Sequence, residues 1–189
     1  IIMNAEKKYN WIRCVYLEKC EEYMGSHYSH VCNIGFNFAI EYCKKENIDY
    51  SYVALLDADN ILEPKYFEKL MIEFEKDQRL GIASGTSVYA DIEKIINELK
   101  WSKIDITDDK LWELVWNSLE GPKGREDVPM GSARMWRIEC FKETGGYLNV
   151  PSPDSVSNVK AKLKGWKIMR FKHAKVIERP GSVSYTHLR

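Results

Sequence analysis

The 189-residue sequence lacks an excess of charge of either sign, a long apolar run and paired cysteines. Basic and acidic residues each number 28, which argues against a nucleic-acid surface, since phosphates require a basic excess. No apolar run approaches the roughly 20 residues of a membrane-spanning helix, and no signal peptide is visible at Ile1. The five cysteines are scattered without a CxxC pair, so we expect reduced thiols in a cytoplasmic protein.

What is present is enough for one folded domain. Apolar residues make up 44% of the chain, so the sequence is expected to fold around a core. Residues 1–182 are expected to form this domain. The end of the chain, SVSYTHLR, fits no element of that domain, so residues 183–189 are interpreted as a possible non-native tail.

Apolar segments alternate with amphipathic ones along the chain. The predicted strands are 11–17, 50–56, 80–85, KIMRF and AKVIE, and the predicted helices begin at Asn33, cover 63–76 and begin again at Asp154 or Ser155. The segment HYSHVC is predicted to be a polar loop, because no second pair of metal ligands follows it. Strands that are apolar on both faces and alternate with helices predict an α/β fold with a mostly parallel sheet flanked by helices.

Two carboxylates, Asp57 and Asp59, directly follow the apolar strand in the segment ALLDADN. In open α/β sheets, ligands bind beyond the carboxyl ends of the strands. Closely spaced carboxylates suit Mg²⁺ or Mn²⁺, which keeps part of its coordination shell for water and substrate phosphate. From these residues alone, two alternatives stay open: a helix-capping turn and a nucleophilic aspartate.

Three motifs in order resemble the family 2 glycosyltransferases of the GT-A fold. They are the N-x-G-x-N-x-A helix that starts at Asn33, the segment LDADNILEP, and the segment GSARMWRIECFKETGGY followed by Asp154 and Gly165. The resemblance implies a GT-A-like, Rossmann-like sheet. The elements that open such a domain are not found, so the resemblance also implies a chain that begins inside it and lacks the first strands.

The resemblance also implies which residues bind the donor and the metal. Asp57 would contact the ribose and phosphate side of a nucleotide-sugar, and Asp59 would hold the Mn²⁺ or Mg²⁺ that bridges its diphosphate. Asn33 and Gly131 belong to motifs on the donor side. Glu178 stands where the family commonly has a metal-binding histidine, and it is a weak third ligand.

By the same resemblance, Asp154 is the general base that deprotonates the acceptor hydroxyl, with inversion at the anomeric carbon. A helix cap after Pro153 is the alternative from position alone. The partners implied are a UDP- or GDP-sugar and a saccharide or lipid-linked acceptor, as in polysaccharide biosynthesis for the cell envelope. The expected location is the cytoplasm, including the cytoplasmic face of a membrane.

Two other functions stay open at this point. A non-catalytic GT-A-like binding or scaffold module is favoured by three departures from the family pattern, namely Pro153, Cys32 and Glu178. A nucleotidyltransferase would share the sheet and the metal-binding aspartates.

Overall fold

The computed structural model describes residues 2–17, 24–89, 94, 95, 97, 100, 109–119 and 126–178. The chain forms two compact units, residues 1–49 with 147–153 and residues 50–146 with 154–189. The helices are α1 (Ile2–Lys8), α2 (Met24–Lys45), α3 (Tyr66–Lys76), α4 (Asp109–Ser118), α5 (Ile138–Thr144) and α6 (Pro153–Leu163). The strands are β1 (Tyr52–Leu56), β2 (Asn60–Leu62), β3 (Leu80–Tyr89), β4 (Ala133–Arg137) and β5 (Lys167–Glu178). The predicted tail, 183–189, lies outside the described residues.

Helix α2 belongs to the first unit and begins at Met24, earlier than the predicted start at Asn33. Ser29, Cys32 and Phe36 are buried at helical spacing, and the Phe36 ring lies 6.2 Å from that of Tyr147. This buried stripe continues the helix through the HYSHVC segment. The prediction of a loop there, with Asn33 as the helix cap, is therefore wrong, because packing of one helix face outweighs the weak helix propensity of these polar residues.

The strand predicted over 11–17 is also wrong, since these residues form neither helix nor strand. Trp11 and Tyr16 are 76% and 63% exposed, and the Arg13 guanidinium donates a hydrogen bond of 3.1 Å to the Tyr42 hydroxyl of α2. An apolar run becomes a strand only where another strand pairs with it. Within the described residues of this unit, no strand does so.

Helix α3 covers one face of the sheet in the second unit. The apolar stripe that predicts this helix is Tyr66, Phe67, Leu70, Met71 and Phe74. Tyr66, Leu70 and Phe74 are buried and Phe67 is partly buried, whereas Met71 is 38% exposed. The helix begins at Tyr66 rather than at Pro64, because Lys65 adopts a left-handed conformation with φ of 63°.

The sheet of the second unit is mixed, in the order β1-β4-β3-β5-β2. Helices combined with this sheet confirm the α/β class. The prediction of a mostly parallel sheet is wrong, because β3 and β5 are parallel whereas the other three described pairs are antiparallel. The burial of a strand does not determine its direction. All five residues of β4 are buried, yet β4 runs opposite to both of its neighbours.

Two strands differ from their predicted extent. KIMRF and AKVIE form the single strand β5, and β3 continues past Gly85 to Tyr89. The register between β3 and β5 shifts between Ser84 and Thr86, so the extra residues of β5 are accommodated in an irregularity instead of ending the strand. Strand β1 lies at one end of the described sheet, and Leu56 is 44% exposed, so β1 is less buried than its sequence predicts.

The main core of the second unit lies between α3 and strands β3, β4 and β5. Its buried members are Tyr66, Leu70, Phe74, Leu80, Ala83, Ala133, Met135, Ala174 and Val176. The Tyr66 hydroxyl donates a hydrogen bond of 2.6 Å to the carbonyl of Ala133 and accepts one of 2.6 Å from the amide of Gly85. The Tyr66 hydroxyl therefore links the first residue of β4 to β3.

Candidate functional site

The DADN turn is bonded to the residue that precedes β4. Leu56, the last residue of β1, pairs with Ala133. The main-chain amide of Asp57 then donates a hydrogen bond of 2.8 Å to the carbonyl of Ser132. The side-chain amide of Asn60 donates to the same oxygen at 3.0 Å. One carbonyl thus holds both ends of the turn.

The orientation of the Asn60 side chain follows from this bond. A carbonyl oxygen only accepts, so the NH₂ group of Asn60 faces Ser132 and the Oδ1 atom points elsewhere. Oδ1 is buried and has no hydrogen-bond partner among the described residues. A buried acceptor without a partner is costly, so a cation or a donor group from a ligand would be favourable there.

Glu178 lies beside the DADN turn in the sheet. Strands β2 and β5 pair so that Asn60 is in register with Glu178, and Tyr89 of β3 is in register with Glu178 on the other side. The backbone therefore places Glu178 opposite Asn60, the residue that follows Asp59. The conformation of the Glu178 side chain lies outside the described part of the chain.

The oxygen atoms at this turn are of the kind that a hard divalent cation binds. Asp57 is half-buried, Asp59 is exposed, and Asn60 contributes the unpartnered Oδ1. Mg²⁺ and Mn²⁺ prefer such oxygen ligands and are held by one or two carboxylates plus substrate phosphate. Asp59 is solvated, so its charge does not need a cation to neutralise it. The turn suits a divalent cation because of the kind of oxygen atoms that it offers. In the described ranges, no three His, Cys, Asp or Glu side chains are grouped to hold a metal ion.

The carboxylate of Asp154 lies directly against Gly131. A Cβ atom at position 131 would stand 2.1 Å from Asp154 Oδ2 and 2.7 Å from its Cγ, closer than any side chain tolerates. A side chain at position 131 would therefore require the Asp154 carboxylate to move. The Asp154 side chain is 34% exposed, so part of this carboxylate faces solvent.

The DADN turn and the Asp154 carboxylate thus contact two consecutive residues, Ser132 and Gly131. Ser132 holds the DADN turn, and Gly131 lies under the Asp154 carboxylate. The DADN turn and Ser132 are far apart in sequence, but the pairing of β1 with β4 brings them together. Gly131 was predicted to bind the donor, and the contact that the structure gives it is with Asp154.

Asn33, which was also predicted to bind the donor, belongs to the first unit. It lies within α2, and its side-chain amide donates to the main-chain carbonyl of Tyr147. Ser29 of the same helix donates a hydrogen bond of 2.9 Å to Asn149 Oδ1. Asn33 therefore takes part in fixing the segment 147–153 against α2.

The sequence reasoning missed Arg134, whose side chain is fully buried beside Asp154. Its Nη1 atom lies 3.4 Å from Asp154 Oδ1, and its Nη2 atom donates a hydrogen bond of 2.9 Å to Asn158 Oδ1. The signal in the sequence is weak: β4 carries two arginines among apolar residues, and the sequence does not show which groups would offset the cost of burying either one.

The sequence matches no protein-family model. Within the part of the chain that the structure describes, no helix is both long and apolar enough to cross a membrane. In the α/β unit, the DADN turn is hydrogen-bonded to Ser132, and the Asp154 carboxylate lies against the adjacent residue, Gly131.

Proposed function

We propose that this protein is a metal-dependent, inverting glycosyltransferase that moves a sugar from a UDP- or GDP-sugar to an acceptor hydroxyl. The observation that carries the proposal is the adjacency of Gly131, which contacts Asp154, and Ser132, which holds the DADN turn. A base and a cation-binding turn in such proximity suit a reaction that needs both at one place. The acceptor is a saccharide or a lipid-linked saccharide.

In this proposal, Asp154 accepts the proton of the acceptor hydroxyl. The hydroxyl oxygen forms a bond with the anomeric carbon while the bond from that carbon to the diphosphate oxygen breaks, and its electron pair leaves with the diphosphate. One such displacement inverts the anomeric carbon. The partial exposure of Asp154 supports this role, because a base must be reached by its substrate.

Asp59 and Asp57 would hold the Mn²⁺ or Mg²⁺, with Asn60 Oδ1 and Glu178 as further oxygen ligands. The cation, when bound, would carry part of the negative charge of the leaving diphosphate. The mixed sheet would form part of a GT-A-like domain that acts in the cytoplasm or at the cytoplasmic face of a membrane.

The test separates the two aspartates by role. Mn²⁺-dependent binding of UDP and GDP is measured by calorimetry, and turnover is measured on a panel of UDP- and GDP-sugars. Asp154→Asn should retain nucleotide binding and lower turnover about 10²-fold or more, because only base catalysis is lost. Asp59→Asn should abolish the Mn²⁺-dependent part of binding, and the exposed Asp49→Asn serves as the control.

The reverse pattern, in which Asp154→Asn loses the nucleotide and Asp59→Asn keeps it, would contradict these roles. A second candidate function is a non-catalytic module of the same fold. It is favoured by the Arg134–Asp154 ion pair, since an ion pair at a fully buried arginine also serves a purely structural purpose. In that case no variant would change turnover, because the wild-type protein would have none.

A further inference from the structure

Arg134 joins two segments that carry the proposed base. Its Nε donates a hydrogen bond of 2.7 Å to the carbonyl of Met130, and its Nη2 donates one of 3.1 Å to the carbonyl of Pro129. On its other side, the same guanidinium reaches Asp154 and Asn158. A planar guanidinium with five donors is suited to hold several acceptors in fixed directions.

These contacts determine where the Asp154 carboxylate lies. Asp154 and Asn158 are four residues apart and therefore lie on one face of α6. Arg134 holds this face through Asn158 Oδ1 at 2.9 Å and through the Asp154 main-chain carbonyl and Oδ1, both at 3.4 Å. The carbonyls on its other side belong to the two residues before Gly131. The guanidinium thus sets the position of α6 relative to the glycine that the carboxylate touches.

We propose that Arg134 is a positioning residue for Asp154, which holds its carboxylate against Gly131 in the orientation that proton transfer requires. The catalytic consequence rests on the proposed function, whereas the mechanical coupling of Arg134 to Asp154 does not. The cost of burying an arginine is compensated by the carboxylate and by the surrounding carbonyls. Removal of either charged partner therefore leaves the other in a worse environment than before.

A second buried arginine of the same strand provides a matched control. Arg137 is 8% exposed and donates hydrogen bonds to the carbonyls of Phe74 at 2.6 Å and Leu80 at 3.2 Å. A third hydrogen bond of Arg137 goes to the main-chain carbonyl of Asp77 at 3.4 Å, whereas Arg134 also contacts the carboxylate of Asp154. The loss of stability in either arginine variant includes the cost of removing a buried guanidinium from β4. The difference between the two losses therefore measures the interaction of Arg134 with Asp154.

The first experiment measures coupling through thermal unfolding of the full chain, without any activity. The variants are Arg134→Gln, Asp154→Asn and their combination, alongside Arg137→Gln alone and combined with Asp154→Asn. The loss in Tm of the Arg134 and Asp154 double variant should be smaller than the summed single losses by about 2–4 °C. The Arg137 pair should be additive. Additivity in both pairs would overturn the proposal.

The second experiment uses Arg134→Lys, which keeps the charge and guards against a Gln variant that does not fold. A single ammonium group cannot reach the Pro129 and Met130 carbonyls and Asp154 together, so the carboxylate loses its fixed orientation. Turnover with the active nucleotide-sugar should fall at least about 10-fold while the donor KM changes less than about 3-fold. Arg137→Lys should retain kcat. An unchanged kcat in Arg134→Lys would overturn the positioning role.

The two experiments separate this proposal from the function on which it rests. If the wild-type protein transfers no sugar, the glycosyltransferase proposal fails, and the thermal cycle alone decides whether Arg134 and Asp154 are coupled. If sugar transfer occurs but the cycle is additive and Arg134→Lys keeps its turnover, the function stands and the positioning role is wrong.

Discussion

The main-chain amide of Asp57 donates a hydrogen bond of 2.8 Å to the carbonyl of Ser132. This bond continues the antiparallel pairing of β1 and β4 by one step beyond the strands, so the acidic turn begins where β4 is about to start. Because Gly131 directly precedes Ser132, the position of the DADN turn and that of the Asp154 carboxylate depend on the same few backbone atoms. Changes that move the start of β4 should therefore affect both.

The Tyr66 hydroxyl supports this part of the backbone, and its removal should be costly. Tyr66→Phe removes the hydroxyl that accepts from the buried Gly85 amide and that donates to the Ala133 carbonyl. We expect a loss of about 1–3 kcal/mol in the free energy of unfolding, measured by urea titration. The exposed Tyr9→Phe is the control and should change it by less than about 0.5 kcal/mol. Equal effects of the two variants would contradict a structural role for the Tyr66 hydroxyl.

Local features of the fold could be predicted, and the direction of the strands could not. The apolar stripe that includes Tyr66, Leu70 and Phe74 predicted α3, and the helix predicted to begin at Asp154 or Ser155 is α6, which begins at Pro153. These features depend on neighbours in sequence. The antiparallel course of β4 depends on which strands it separates, and its apolar residues carry no information about that.

The candidate site shows the same limit. Asp57, Asp59 and Asp154 were predicted from motifs, and the structure brings the segments that carry them to Gly131 and Ser132. The burial of Arg134 could not be predicted, because the cost of a buried charge is offset by carbonyl groups that only the folded chain supplies.

Gly131→Ala should move the Asp154 carboxylate without removing it. The new Cβ would lie 2.1 Å from Oδ2, so the short side chain of Asp154 must rotate or shift. A displacement of about 1 Å in a catalytic group costs about 10²-fold in turnover, and we expect a loss of that size at nearly unchanged nucleotide affinity. A crystal structure of the variant should show the carboxylate displaced.

The stability control for this substitution is Gly35→Ala in α2. A Cβ at Gly35 meets nothing within 4 Å, so this variant should gain about 0.5–1 kcal/mol from the better helix propensity of alanine. If Gly131→Ala keeps full turnover while its carboxylate is displaced, the position of Asp154 is unimportant and its role as the base is wrong.

The Cys140 thiol should be unreactive in the folded protein. Cys140 is fully buried, and burial raises the pKa of its thiol to about 12. The thiolate is the reactive form, so iodoacetamide at pH 8 should label the partly exposed Cys43 and spare Cys140, as read by mass spectrometry. Labelling of both cysteines at equal rates without denaturant would contradict this burial.

The raised pKa of Cys140 also predicts how stability depends on pH. The folded thiol keeps its proton at pH values where the unfolded thiol, with a pKa near 9.0, has lost it. The unfolded state therefore binds fewer protons between about pH 9 and 12, and stability falls as the pH rises through that range. Between pH 8 and 10.5, the urea midpoint of Cys140→Ala should fall less than that of the wild type. An equal fall would show that Cys140 does not contribute.

The last prediction concerns the unpartnered oxygen of Asn60. If Oδ1 is a ligand of the cation, Asn60→Ala should weaken Mn²⁺ binding about 10-fold, because one of few protein oxygens is lost. Mn²⁺ affinity is measured by electron paramagnetic resonance titration of free Mn²⁺, which needs no nucleotide and no turnover. The exposed Asn117→Ala is the matched control in the same unit. Asp59→Asn shows how much Mn²⁺ affinity is lost when a carboxylate ligand is removed. Unfolding curves verify that Asn60→Ala stays folded despite the loss of its bond to Ser132. Wild-type Mn²⁺ affinity in Asn60→Ala, with a clear loss in Asp59→Asn, would leave the cation at the turn and remove Asn60 from its ligands.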